Sequence, residues 1–372
     1  MIEINRIVVA RYPNGGIGDH LSCLMGAWFY AKRTGRSLVV DWRGSRFNPD
    51  PTSTHNCFGR FFDVPPVLAG VPIISGDEVS NLSYEIPIFP EKWDVEGLAT
   101  TDHLKHTPDE IDTINALVTS DHDRPEPTVV FNQWIHPSPP KFAAIEFLKE
   151  LSIAAEIRLA ADQIWQENLG DCAGIAIHVR HGNGENIGLR AAYWLAPWTL
   201  FRQLWLNASI DVHRSGVHGR FTDNMPDSLI PAKYLGARQK SFLKTIAARV
   251  NHMKRARQLP QARPILFCDS PIVVDALRAY LPDLVVPQKI FLDPGTGPLH
   301  AISQHDNAVV PVNERITFDM MLELELMRRC SALVCMDSNF SILSRIELDN
   351  DHIDFLRPTL LNRLVLKAIR LL

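Results

Sequence analysis

The densest group of chemically capable side chains is His178-Val179-Arg180-His181-Gly182-Asn183-Gly184-Glu185. An arginine offers a planar fork of donors that fits phosphate oxygens two at a time. Gly182 and Gly184 let backbone amides approach the same anion. The octapeptide follows the apolar run 173–179, which reads as a buried strand. In a parallel sheet it therefore sits at the carboxyl edge, where ligand-binding loops collect. Anion binding is the chemistry expected there.

A second candidate is Gly15-Gly16-Ile17-Gly18-Asp19-His20-Leu21, between a strand and a helix, with Asp41 closing the next strand. The placement resembles a dinucleotide fingerprint, but the third glycine position holds Leu21. A structural turn is the reading preferred, with nicotinamide dinucleotide binding as a distant alternative. Asp121-His122-Asp123 and Asp349-Asn350-Asp351 have the form of a metal clamp. Neither follows a clear buried strand, so both are expected to be solvated loops.

These residues must be positioned by α/β elements. Residues 6–11 form a β-branched run, the apolar period turns helical from Leu21, and Lys32-Arg33-Thr34-Gly35 closes that helix. Residues 37–42 make the second strand of a strand–helix–strand unit. Residues 44–127 are proline-rich and irregular, with short strands expected at 71–74 and 128–131 and one helix over 142–167. The rhythm then restarts, with strands over 173–179, 264–269, 284–286 and 332–335, and helices over 273–281 and 318–329. Two Rossmann-like halves joined near residue 150 fit this order.

Composition narrows the class. The chain has 372 residues, of which 46% are hydrophobic, enough to build two cores without staples. Its net charge of −4 gives no overall positive field for nucleic acid, so that partner is excluded. Six cysteines lie far apart with no Cys-x-x-Cys pair, and buried free thiols are expected rather than disulfides or zinc. The first residues lack a secretion pattern and no apolar run of about 18 residues exists, so a cytoplasmic protein without a membrane span is expected. Between Asp227 and Asp269 there are nine basic residues and no acid. A solvated helical face is the simpler explanation; peripheral contact with an anionic partner is the functional one.

Several of these segments together resemble a known family. Gly16-Ile17-Gly18-Asp19, Arg33-Thr34-Gly35-Arg36 and Asp41-Trp42-Arg43-Gly44-Ser45 are similar to the N-terminal half of the nodulation-type α-1,6-fucosyltransferases. These are bacterial relatives of the enzymes that fucosylate the N-glycan core. The octapeptide from His178, Phe267-Cys268-Asp269-Ser270, Gly297-Pro298-Leu299-His300, Phe318-Asp319-Met320 and the stretch from Arg329-Cys330 to Phe340 resemble its sugar-nucleotide motifs in the same order.

The resemblance implies a GT-B-like α/β fold, two Rossmann-like domains facing across a cleft. Residues 1–150 would form the acceptor-side domain. Residues 151–372 would form the donor-binding domain, with a basic insertion near 206–250. It implies inverting transfer of fucose from GDP-fucose to a hydroxyl, expected to be O6, of an N-acetylglucosamine-containing oligosaccharide, with no metal and no other cofactor.

By the same resemblance Arg180 binds the β-phosphate and takes up the leaving group's charge, and His178 and Asp319 contact the nucleoside. Ser338 and Phe340 line the diphosphate side, while Asp269, Ser270, His181, Gly182, Asn183 and His300 complete the donor set. Glu185, on the loop of Arg180, is the candidate general base for the acceptor hydroxyl. Relatives carry further acids just beyond it, whereas Asn186 to Ala192 has none. A transferase for a different acceptor, or a protein that binds GDP and glycan with impaired catalysis, are the alternatives.

Overall fold

A computed structural model describes all residues except 1–5, 12–14, 46, 49–53, 101–103, 105, 137, 181–236, 292–313, 337, 358–359, 362–363 and 365–372. The chain forms two compact units. The first contains Met1–Gln163 together with Val310–Arg328 and Ser338–Glu347; the second contains Ile164–Val309, Arg329–Asp337 and Leu348–Leu372. The chain thus returns twice to its first unit.

The first unit is built on strands β1 (Ile7–Ala10), β2 (Ser37–Val40), β4 (Val67–Leu68), β5 (Val71–Ile74), β6 (Ile88–Phe89) and β7 (Thr128–Phe131). Their order is β4-β5-β2-β1-β7-β6, parallel except for β4 against β5. β1, β2 and β7 are buried along their whole length, as β-branched runs covered on both faces must be. Helix α1 (Ile17–Thr34) links β1 to β2 and ends where the sequence requires, with Gly35 in the left-handed conformation at φ 66°. It begins at Ile17, one turn before the expected Leu21. The amide of Gly16 donates to the Asp19 carboxylate at 2.9 Å, which caps the first turn and draws Ile17, Gly18 and Asp19 into the helix.

Two further helices fill the proline-rich stretch, α2 (Val95–Ala99) and α3 (Pro108–Thr119). The single helix expected over 142–167 is two, α4 (Lys141–Glu150) and α5 (Ala155–Asn168). Between them β8 (Ser152–Ile153) pairs antiparallel with β3 (Phe62–Asp63), and that long-range ladder outweighs helical continuity. The second unit has an all-parallel sheet ordered β10-β9-β11-β12, from β9 (Gly174–Val179), β10 (Arg263–Cys268), β11 (Ala332–Met336) and β12 (Ile353–Leu356). The strand expected over 284–286 is reduced to one parallel bridge, Val285 to Ile265.

Helices α6 (Ala237–Ala256) and α7 (Pro271–Arg278) belong to the second unit, whereas α8 (Glu314–Arg328) and α9 (Ile342–Glu347) belong to the first. α6 buries Leu243, Ile246, Ala247, Val250 and Met253 in the core beneath β9, β10 and β11. This is the apolar stripe of a surface helix. Two of its basic side chains, and one just past its end, are met by acids from later in the chain. Arg249 pairs with Asp354 at 3.4 Å, Lys254 with Asp283 at 2.8 Å, and Arg257, just beyond the helix, with Asp351 at 2.6 Å. All six cysteines are free; five are buried and Cys172 is half-buried. Burial pushes the Cys23 and Cys57 thiols up to about 12.

The side chain of His106, just before α3, is almost fully buried, with Nδ1 3.7 Å from Glu110, and Glu110 also bonds Lys92. Burial and the Lys92 charge push its imidazole down from 6.5 to about 4. The unfolded chain therefore takes up a proton below pH 6.5 that the folded chain refuses until about pH 4. Stability should fall on acidification through that window, by about 2 kcal/mol at pH 5. Urea unfolding at pH 7 and pH 5 should show this loss, and His106→Gln should remove about that much of the difference. An equal pH dependence in the variant would contradict the burial of a neutral imidazole.

Candidate functional site

The octapeptide begins on β9. His178 faces Phe267 of β10 and Cys335 of β11 in register, and it is buried, 4% exposed. The strand ends at Val179, level with Cys268 of β10, so Arg180 and Asp269 leave adjacent strands side by side. Their side chains form an ion pair, Arg180 Nε to Asp269 Oδ2 at 3.7 Å, and both remain about a quarter exposed. The Arg180 amide donates to the sulfur of Met336, the last residue of β11. Ser270 is buried at the N-cap of α7, with Pro271 following it. The sequence thus brings His178, Arg180, Asp269 and Ser270 to one edge of the second sheet because three apolar strands end in register there. This arrangement presents a guanidinium, held by its backbone and by a carboxylate, where strand ends and a helix N-terminus meet.

His181, Gly182, Asn183, Glu185 and His300 lie outside the described residues. Asp319, Ser338 and Phe340 belong to the first unit. Asp319 is buried on α8 and pairs with Arg315 one turn earlier, at 2.9 Å. Ser338 starts a tight turn, its hydroxyl accepting the amide of Phe340 at 3.3 Å and its carbonyl accepting the hydroxyl of Ser341 at 3.1 Å.

That turn packs on the start of α1. A Cβ on Gly18 would lie 2.0 Å from the Asn339 carbonyl oxygen, and the Asn339 side-chain amide donates to Asp19 at 2.6 Å. Gly18 is therefore needed for a close approach of two backbones. The same contacts dispose of the dinucleotide alternative: the Gly16 amide is held by Asp19, and Asp41 is fully buried between Arg43 and Arg11. Gly18→Ala should cost about 1–3 kcal/mol of stability by overpacking. An unchanged urea midpoint would contradict the contact.

The Asp41 group is a constellation the sequence reading missed. Arg43 grips Asp41 through Nε at 2.9 Å and Nη2 at 2.8 Å, and Arg11 Nε stands 3.6 Å away. Both guanidiniums also donate to carbonyls at the end of α2, Arg11 to Gly97 and Arg43 to Leu98. Burial opposes the Arg43 charge, but its bonds to Asp41 raise its affinity for the proton above the ordinary value. The only signal in the sequence was charged residues placed directly after β1 and β2.

The two Asp-x-Asp triplets are likewise occupied. Asp123 accepts from Tyr30 and pairs with Arg6 and Arg36, and Asp351 pairs with Arg257. Among the described residues no group of three His, Cys, Asp or Glu is arranged to hold a metal, and no helix is long and apolar enough to cross a membrane.

Comparison with known proteins joins these observations. The family model for nodulation protein Z (NodZ) matches residues 4–225, more than half of the chain. The chain belongs to the nodulation protein Z family. A nodulation protein Z of Sinorhizobium fredii is 30% identical over 302 residues, covering 80% of this chain and 79% of that protein. One of Bradyrhizobium diazoefficiens is 28% identical over 338 residues, covering 89% and 75%.

Among solved structures, a NodZ α-1,6-fucosyltransferase soaked with GDP-fucose superposes with a TM-score of 0.57 at 21% identity, covering 92% of each chain. The same enzyme co-crystallised with GDP gives 0.58. The fold is therefore that of the NodZ enzymes, GT-B-like with two parallel-sheet α/β units, and the family resemblance read from the sequence is borne out.

Proposed function

We propose that the chain transfers fucose from GDP-fucose to O6 of an N-acetylglucosamine residue in an oligosaccharide, with inversion at the anomeric carbon and without a metal ion. It is an enzyme, a glycosyltransferase of the fucosyltransferase class. The observation that carries the reading is Arg180 at the end of β9, flanked by Asp269 and Ser270, in a chain of the nodulation protein Z family.

In the reaction the acceptor oxygen forms a bond to C1 of fucose as the bond from C1 to the diphosphate oxygen breaks. The acceptor proton passes to a general base, for which Glu185 is our candidate. Negative charge grows on the β-phosphate, and a guanidinium already oriented toward it lowers that barrier without reorganising. Asp269 holds the Arg180 side chain in place, and Ser270 and the α7 N-terminus add donors on the same edge. His178, buried on β9 at the same edge, is our candidate for a nucleoside contact. Lack of any acid from Asn186 to Ala192 favours a second reading, the same donor chemistry on a different acceptor.

A donor panel tests the proposal. With GDP-fucose, GDP-mannose and UDP-N-acetylglucosamine offered separately in EDTA, acceptor-dependent release of nucleoside diphosphate should occur with GDP-fucose alone. Equal release from the other donors, or activity only after metal is restored, would overturn it.

A further inference from the structure

The loop after β7 carries two exposed aromatic rings on a rigid seat. Trp134 is 42% exposed, and its ring stacks on that of His136, with centroids 5.1 Å apart and planes inclined by 21°. Between them Ile135 is fully buried. Its carbonyl accepts the hydroxyl of Ser22 at 3.0 Å, and a Cβ on Gly26 would lie 2.7 Å from its side chain. The Asn115 side chain accepts the amide of His136 at 3.0 Å, and the Gln133 side chain donates to the Ile111 carbonyl at 3.0 Å. The chain on both sides of Trp134 is thus fixed, so a ligand need not order it.

The position of this seat is informative. Gly18, Ser22 and Gly26 recur every fourth residue and share one face of α1. On that face Gly18 meets the turn of Ser338 and Phe340, and Ser22 and Gly26 meet Ile135. The two loops therefore rest on one helix face about 6 Å apart along its axis. The turn is the one assigned above to the donor's diphosphate side.

We infer that Trp134, backed by His136, is a stacking platform for a pyranose ring of the acceptor. Indole presents an electron-rich face. A β-linked N-acetylglucosamine carries its ring substituents equatorially, which leaves axial C–H bonds as an apolar face that matches it. A stacked pair leaves one face of the indole for such a ring, on the loop whose Ile135 packs on the same face of α1 as the Ser338 turn. The inference rests on the proposed acceptor reading and places that acceptor in the first unit.

The test compares wild type, Trp134→Ala and Trp134→Phe with the β-1,4-linked N-acetylglucosamine tetramer, by transfer kinetics and by calorimetric titration of the tetramer without donor. Trp134→Ala should raise the acceptor KM and weaken tetramer binding about tenfold, which is about 1.4 kcal/mol. The KM for GDP-fucose should be unchanged, and Trp134→Phe should restore most of the loss.

If wild type transfers to the tetramer and Trp134→Ala keeps its acceptor KM, the platform is overturned while the function stands. If wild type binds the tetramer through Trp134 but does not fucosylate it, the platform stands and the acceptor reading falls. Neither transfer nor binding would overturn both.

Discussion

Replacing Arg180 with alanine is expected to lower kcat for fucosyl transfer by about 10²–10³, or roughly 3–4 kcal/mol of barrier. The residue has a position that suits the task. It leaves β9 directly, its amide is tied to Met336, and Asp269 holds its guanidinium at 3.7 Å while leaving it about a quarter exposed. A donor fixed in this way interacts most strongly where charge develops, so its loss falls on kcat rather than on substrate affinity alone. Arg180→Lys keeps the charge and loses the fork, and should recover only part of the rate. The side chain is not part of a core, so the urea midpoint of Arg180→Ala should match wild type. Wild-type kcat in a folded Arg180→Ala would remove Arg180 from the mechanism.

The second large effect concerns stability. Asp41→Ala should destabilise the protein by about 3–5 kcal/mol, because it removes the buried carboxylate that the guanidiniums of Arg43 and Arg11 face. Removing only one arginine should cost less, since Asp41 keeps the other. The arginines also close the carbonyl end of α2, so the damage should spread to residues 95–100 and be visible as early hydrogen exchange there. A wild-type unfolding midpoint for Asp41→Ala would mean that the trio is not the buried ionic centre described.

What the sequence made legible follows the range of the interactions involved. Apolar strands over 174–179 and 263–268 announce themselves locally, and the charged residues that follow them are therefore placed correctly at a sheet edge. Gly35 and the basic turn before it mark the end of α1 for the same reason. The start of α1 was less legible, because its cap is Asp19 reaching back to Gly16 rather than a capping side chain ahead of the helix.

Helix α3 carried a signal that went unread, Thr107-Pro108-Asp109-Glu110, a capping box with proline at the first helical position. The break between α4 and α5 had no local signal, since it depends on a ladder to Phe62 and Asp63. Nor could periodicity reveal that Gly18 makes room for Asn339, or that Asp283, Asp351 and Asp354 answer the basic stretch. Those partners meet only in the folded chain.

The resemblance to the nodulation family identified the fold, whereas the trio of Asp41, Arg11 and Arg43 had to be built from contacts. Two of its members lie in a segment that carried the resemblance, and their visible work is structural.

Transfer of fucose to an N-acetylglucosamine oligosaccharide would be read directly from the mass of the product. The protein is incubated in EDTA with GDP-fucose and the β-1,4-linked N-acetylglucosamine tetramer, and the tetramer is weighed by mass spectrometry. The tetramer should gain one deoxyhexose residue, carried on O6 of an N-acetylglucosamine with α configuration, and Arg180→Ala should form this product at least about a hundredfold more slowly. A tetramer of unchanged mass, from folded protein that still binds GDP, would contradict it.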